Sequence, residues 1–216
     1  STSNLLSLNI FGGFVEEVKV MEFGGIVNIV RRNAGVIQAA GIGNFVGGNF
    51  RGFQASGILN YTRRSFSGLQ ASGISNTVAG NLKGVQATGI MNFAKGINGA
   101  QLSGILNVSR NLSGLQASSI LNQAKTAHGA QVTAILNNAD SLKGAQISGA
   151  FNRARIIRGT QITSLLNYAN ELNGVQIGVV NIANRGRATQ IGLININRSG
   201  VHNLEIYATE TFLTNI

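Results

Sequence analysis

The chain has 216 residues, enough for one domain with a sizeable core. It contains 29 Gly and no Pro, Cys or Trp, which excludes a disulfide framework and a thiolate metal site. Only 11% of residues are charged, yet the formal net charge is +10, a balance that favours polyanionic partners without naming one.

The N-terminus, Ser1-Thr2-Ser3-Asn4, lacks Met and a charged-then-apolar leader, and is read as a processed chain or a fragment. From Phe11 to Phe23 apolar residues alternate with charges. This fits an atypical first coil, so residues 1–23 are assigned to an N-terminal cap segment.

Residues 24–198 are dominated by a repeat. Asn recurs at Asn28, Asn44, Asn60, Asn76, Asn92, Asn107, Asn122, Asn137, Asn152, Asn167, Asn181 and Asn195, in four steps of 16, five of 15 and two of 14. Gln recurs in the same way from Gln38 to Gln190, and Gly84-Val85-Gln86-Ala87-Thr88-Gly89-Ile90-Met91-Asn92 is a clean unit. With Gln as position 0, position +4 is Ile from Ile42 to Ile135, position −4 is usually bulky (Phe50, Leu82, Ile157) and position +8 is mostly small (Ala94, Ala139). Fifteen residues with a Gly in mid-unit cannot hold two packed helices; helical repeats need about 33–34. They can hold short strands joined by corners, each strand pairing with its counterpart in the next coil. The chain is therefore expected to be all-β: a single β-solenoid of about 12 coils, 15–16 residues each, with atypical terminal caps.

Period-two alternation around Gln puts −1 and +1 inside, such as Val85 and Ala87. Gln54, Gln70, Gln86, Gln101, Gln116, Gln131, Gln146, Gln161 and Gln176, with Ser/Thr neighbours at +2, are then expected to form a polar outer face. Beyond the Gly, Ile (+4) and Asn (+6) are expected to point inward, with the parity flipping at the corner. The Asn column is expected to be a structural amide ladder. A competing reading has no flip: every even position faces inward, Gln and Asn are buried together, and the odd positions make an apolar outer surface for a partner.

Positive charges fall in columns. Arg31, Arg63, Lys95, Arg110, Lys125, Arg155 and Arg198 stand three residues after Asn; Arg51, Lys83, Lys143, Arg158 and Arg187 stand three before Gln. These are candidate anion-binding columns, weighed against a role in solubility. The nearby aromatic residues Tyr61, Phe93 and Tyr168 recur too rarely for a base-stacking platform, so nucleic acid is not favoured. Asp140 is the sole Asp, and His128 and His202 fall in different coils. Paired catalytic carboxylates, a metal site and a phosphate loop therefore find no support, and no cofactor, enzymatic activity or small-molecule substrate is expected. No run of 18 apolar residues suggests a transmembrane helix. Residues 199–216 leave the repeat and read as a C-terminal cap or the start of a further strand region.

At Leu172-Asn-Gly-Val-Gln-Ile-Gly-Val-Val-Asn-Ile-Ala183 and Gln190-Ile-Gly-Leu-Ile-Asn195 the chain resembles bacterial surface-repeat proteins built from Gly-Val-Gln-Ile-Gly-Leu-Ile-Asn units, of Bacteroidetes-like and spirochaete lineages. The resemblance covers roughly residues 24–198. Most units here carry an extra Ser/Thr before the corner Gly. The resemblance implies export to the outer membrane, periplasm or surface of a Gram-negative cell. The partners it leaves open are an outer-membrane protein, such as a secretion channel to plug or assist, or an anionic polymer, polysaccharide or lipopolysaccharide.

Overall fold

The computed structural model describes residues 3–199. The first five coils hold β1 (Ser3–Asn9) and β2 (Gly12–Val15), β3 (Glu17–Gly24) and β4 (Val27–Val30), β5 (Ala34–Ala40) and β6 (Gly43–Val46), β7 (Phe50–Ser56) and β8 (Leu59–Thr62), and β9 (Phe66–Ser72). Longer strands then wrap most of a coil each: β10 (Ser75–Thr88), β11 (Met91–Ser103), β12 (Leu106–Ser118), β13 (Leu121–Thr133), β14 (Leu136–Ser148), β15 (Phe151–Thr163) and β16 (Leu166–Ile177). The stack ends on β17 (Val180–Arg185), β18 (Ala188–Ile191) and β19 (Ile194–Asn197). Every pairing described is parallel and joins one coil to the next, giving a β-solenoid of about 13 turns. At a strand spacing of about 4.8 Å the rod is about 62 Å long. The segment read as an N-terminal cap already runs in the coil, because β1 pairs with β3. Residues 200–216, read as a C-terminal cap or further strands, lie outside the described residues.

Register follows the repeat. Gln86 pairs with Gln101, Gly84 with Gly99 and Asn76 with Asn92. The change from 16 to 15 residues is absorbed between Val78 and Asn81, at a corner where a residue can be lost without turning a strand over.

Each coil bends at three places. Positions +3 and +4 form a sharp bend, as at Gly57-Ile58 and Gly104-Ile105. Strand pairing lapses at +9, where Lys95, Arg110 and Lys125 stand. At −2 a glycine has positive φ in coil after coil, from Gly52 (132°) to Gly174 (154°). The bends divide a coil into three short sides: −1 to +2, +5 to +8, and +10 to −3. The core is filled by four columns, one bulky and apolar (Phe50, Phe66, Leu82 to Leu172), one small (Val46, Ala94 to Ala183), one of Gln and one of Asn. Phe50 and Phe66 stack with ring centroids 5.1 Å apart.

Two sequence expectations are corrected here. The nine glutamines Gln54, Gln70, Gln86, Gln101, Gln116, Gln131, Gln146, Gln161 and Gln176 are wholly buried, not a polar outer face. The +4 isoleucines are exposed, Ile120 by 44% and Ile135 by 48%. A two-residue corner keeps parity, so even positions on the sides flanking it face inward, as the competing reading has it; +4, an even position within the corner, faces out against both readings.

Val36 occupies the −2 column with φ 66°, the one non-glycine of positive φ among the described residues. The ladder to the preceding coil skips Gly35 and Val36, which is where a side chain is tolerated. A β-branched residue is strained in that region by about 1–3 kcal/mol. Val36→Gly is expected to raise stability by about 1 kcal/mol in urea unfolding.

Candidate functional site

The buried amides form two ladders. Each Gln donates from Nε2 to Oε1 of the Gln one coil back: Gln101 to Gln86, Gln116 to Gln101 and Gln131 to Gln116, all at 2.8 Å. The same Nε2 donates to the +7 carbonyl of its own coil, as Gln116 does to Gln123 at 3.3 Å. Each Asn donates the other way, toward the next coil: Asn107 Nδ2 to Asn122 Oδ1 at 3.0 Å and to the Ala117 carbonyl at 2.7 Å. Both N–H groups and the oxygen of a mid-ladder amide are therefore used, which is what makes its burial tolerable. The two columns run in opposite senses, so their dipoles oppose. They also tie the first side to the second across the +3/+4 bend.

The Gln ladder ends on an acid. Gln38 Nε2 donates to Glu22 Oε2 at 2.7 Å, and Glu22 is fully buried with Oε1 unpartnered. The carboxylate thus meets the N–H end of the amide column. Burial pushes its pKa above the ordinary 4.5, opposed in part by the Gln38 hydrogen bond. A raised carboxyl pKa contributes stability below 4.5 that is lost as pH rises through the folded value. Glu22→Gln is expected to be more stable than the parent at pH 7 and indistinguishable from it below about pH 4. Thermal unfolding at the two pH values checks this, and a gap that persists in acid contradicts it.

The exterior is apolar on the first side and along the ridge beside it, whereas the second side is mixed, with Gln123, Asn138 and Arg153 among its outward residues at +7. On the first side no residue at −1 or +1 from Ile37 to Ile191 is charged. The +4 residues make a ridge of Ile42, Ile58, Ile74, Ile105, Ile120 and Ile135 that runs on through Leu165, 57% exposed. The second side presents Leu106, Leu121, Leu136 and Leu166 at +5, half-buried. The first side, about 13 Å wide along a rod of about 62 Å, amounts to about 800 Å². A typical monomer's largest apolar patch is about 300–600 Å².

The basic columns lie on the rest of the outline. Arg63, Lys95, Arg110, Lys125 and Arg155 project at the +9 bend, and Arg51, Lys83, Lys143, Arg158 and Arg187 from the third side, all exposed. Arg31 lies 3.7 Å from Glu16 and is partly neutralised. Among the described residues, the other ten have no carboxylate within 4.0 Å. Lys95, Arg110 and Lys125 line a shallow groove with Phe93 and Val108, and Asp140 closes its end. Successive cations there are about one coil, 4.8 Å, apart.

Residue type alone hid Glu22, and the exposed +4 ridge belonged to neither reading of the parity. Glu22 stands 16 residues before Gln38, one repeat step, and that spacing is the signal for its place in the column. Among the described residues no helix is long and apolar enough to cross a membrane. Comparison with protein-family models, curated proteins and solved structures finds no match to this chain.

Proposed function

We propose that the chain is a non-catalytic scaffold of the bacterial cell envelope, a rod that docks on an outer-membrane or surface component through its apolar flank. The observation that supports this most is the exposed +4 ridge with the apolar first side beside it, a surface larger than a typical free monomer carries. The envelope placement rests on the resemblance of Leu172–Ala183 and Gln190–Asn195 to exported surface-repeat proteins. An apolar flank also fits an accessory or plug of an outer-membrane secretion channel, which needs a stable protein interface.

Fractionation of the tagged chain in its own bacterium tests the reading. The chain is expected to sediment with the envelope, to resist a salt wash and to be released by mild detergent. The variant Ile105→Ser/Ile120→Ser/Ile135→Ser is expected to remain folded, with an unfolding temperature lowered by no more than about 10 °C, and to appear in the soluble fraction. A parent chain found wholly soluble would contradict the proposal. A stoichiometric membrane protein in the detergent extract would favour the channel accessory.

The groove of Lys95, Arg110 and Lys125 favours a second reading, an anionic polysaccharide or lipopolysaccharide along the basic columns. Its affinity should fall steeply between 50 and 200 mM salt, on the order of tenfold or more. Binding insensitive to salt sinks it.

A further inference from the structure

The outward residues of the first side obey a rule of size. In the coils of Gln54, Gln70 and Gln86 position −1 is large and +1 is Ala: Phe53/Ala55, Leu69/Ala71 and Val85/Ala87. In the coils of Gln131, Gln146 and Gln161 the order is reversed: Ala130/Val132, Ala145/Ile147 and Thr160/Ile162. The two middle coils are also inverted with respect to each other, Ala100/Leu102 against Leu115/Ala117. All these side chains are partly or well exposed, so the core does not impose the rule.

The pattern is antisymmetric about the boundary between the coils of Gln101 and Gln116. Consider a two-fold axis there, parallel to the strands and lying against the side. It reverses the rod but preserves strand direction, so −1 meets −1 and +1 meets +1. Leu69 then faces Ala145 of a second copy, Val85 faces Ala130, Ala87 faces Val132 and Leu102 faces Ala117. Across eight coils each large side chain meets a small one, the interdigitation that packs two sheet faces about 10 Å apart. The match stops at the coil of Gln176, where Val175 and Ile177 are both large.

We infer that the first side binds a second copy of this chain in an antiparallel, two-fold symmetric dimer. A self-complementary patch is what an isologous interface requires. Eight coils of about 4.8 Å by a side of about 13 Å bury about 500 Å² per copy, or about 1,000 Å² together, the lower bound for a stable interface. No charge lies at −1 or +1, and the cations of the third side and the +9 bend stay outside, so the net charge of +10 is not buried. The inference goes beyond the envelope reading: the dimer leaves the ridge and second side open, and it forms without any envelope component.

Sedimentation equilibrium of the full chain tests it. The parent is expected to be dimeric at about 100 µM. Ala145→Leu puts Leu against Leu69 and is expected to weaken the dimer about tenfold or more. Adding Leu69→Ala to it exchanges the sizes and is expected to restore parent affinity. In a dimer of parallel rods position 145 would instead meet position 147, and the exchange would rescue nothing. A monomeric parent, or a double variant no better than Ala145→Leu, overturns the proposal. Should either variant fail to fold, cysteines at 87 and 132 supply a second measure. The chain has no native Cys, and within one copy these positions lie three coils, about 14 Å, apart, too far to bridge. Oxidation of Ala87→Cys/Val132→Cys should give linked dimers and neither single variant should; equal crosslinking by all three overturns the register.

Discussion

Replacing Gly114 by Ala is expected to split the rod, at a cost of more than about 4 kcal/mol. Gly114 has φ 132°, a region L-residues rarely adopt. A Cβ there would also run into the carbonyl oxygen of Gly99, the same position one coil back. That neighbour is backbone and cannot swing aside. The conflict recurs along the column, since each glycine from Gly52 to Gly174 packs on the backbone one coil earlier, so the coils cannot share the strain. A solenoid is held by nearest-neighbour contacts, and a lost contact in mid-rod uncouples the two halves. Urea unfolding followed by circular dichroism should show one transition for the parent and two, or a shortened folded core, for the variant. Ser113→Ala, exposed and adjacent, should shift the midpoint by less than about 0.5 kcal/mol. A Gly114→Ala chain that unfolds like the parent would mean the coils do not stack in this register.

Gln116→Leu is expected to cost about 3–5 kcal/mol, although the side chains are similar in size. The substitution removes the donor that Gln101 Oε1 accepts from and the acceptor that Gln131 Nε2 donates to, both wholly buried. Each orphaned group costs about 1–3 kcal/mol, and the carbonyl of Gln123 and the hydroxyl of Ser109 lose a donor as well. Ile120→Ser, four residues on, should cost under about 1 kcal/mol, because Ile120 is already half in water. An ordinary hydrophobic core would reverse this order, with the isoleucine costing several kcal/mol and the glutamine almost nothing. Denaturant midpoints of the two variants, measured at low protein concentration, decide between them.

That reversal marks where reading the sequence runs out. The period, the parallel stacking, the Asn ladder and the corners where residues are lost all follow from spacing, and spacing is what coil-on-coil pairing fixes. Inward parity is different. The rule that apolar residues lie inside is one-way, and burying an amide is tolerable once every donor and acceptor is paired. Pairing depends on whether Gln86 lies one coil from Gln101 with its Nε2 aimed correctly, a three-dimensional fact that residue type does not carry. A trace of it was nonetheless legible. Gln stays unchanged at eleven successive positions from Gln38 to Gln190, whereas −1 ranges from Phe53 to Ala100 and +1 from Ala55 to Ile147. A polar column in water accepts many residues, whereas an amide ladder needs the same amide in every coil. The −2 glycines were legible as corners, but their approach to the previous coil's backbone was not.

The candidate surfaces divide in the same way. The basic columns stand where their spacing places them, exposed at a bend and on the third side. The ridge from Ile42 to Ile135 was visible as an invariant column but assigned to the wrong face. An isoleucine at a corner looks like core until the corner's length is known, and a corner of two residues rather than one leaves it in solvent.

Hydrogen exchange of the glutamine side-chain amides, followed by NMR in D₂O, tests the inside-out core most directly. With Nε2 of Gln86, Gln101, Gln116 and Gln131 bonded and shielded from solvent, these resonances should persist for hours while that of exposed Gln123 vanishes at once. Prompt exchange of the whole glutamine column would put those amides in water and contradict the buried ladder.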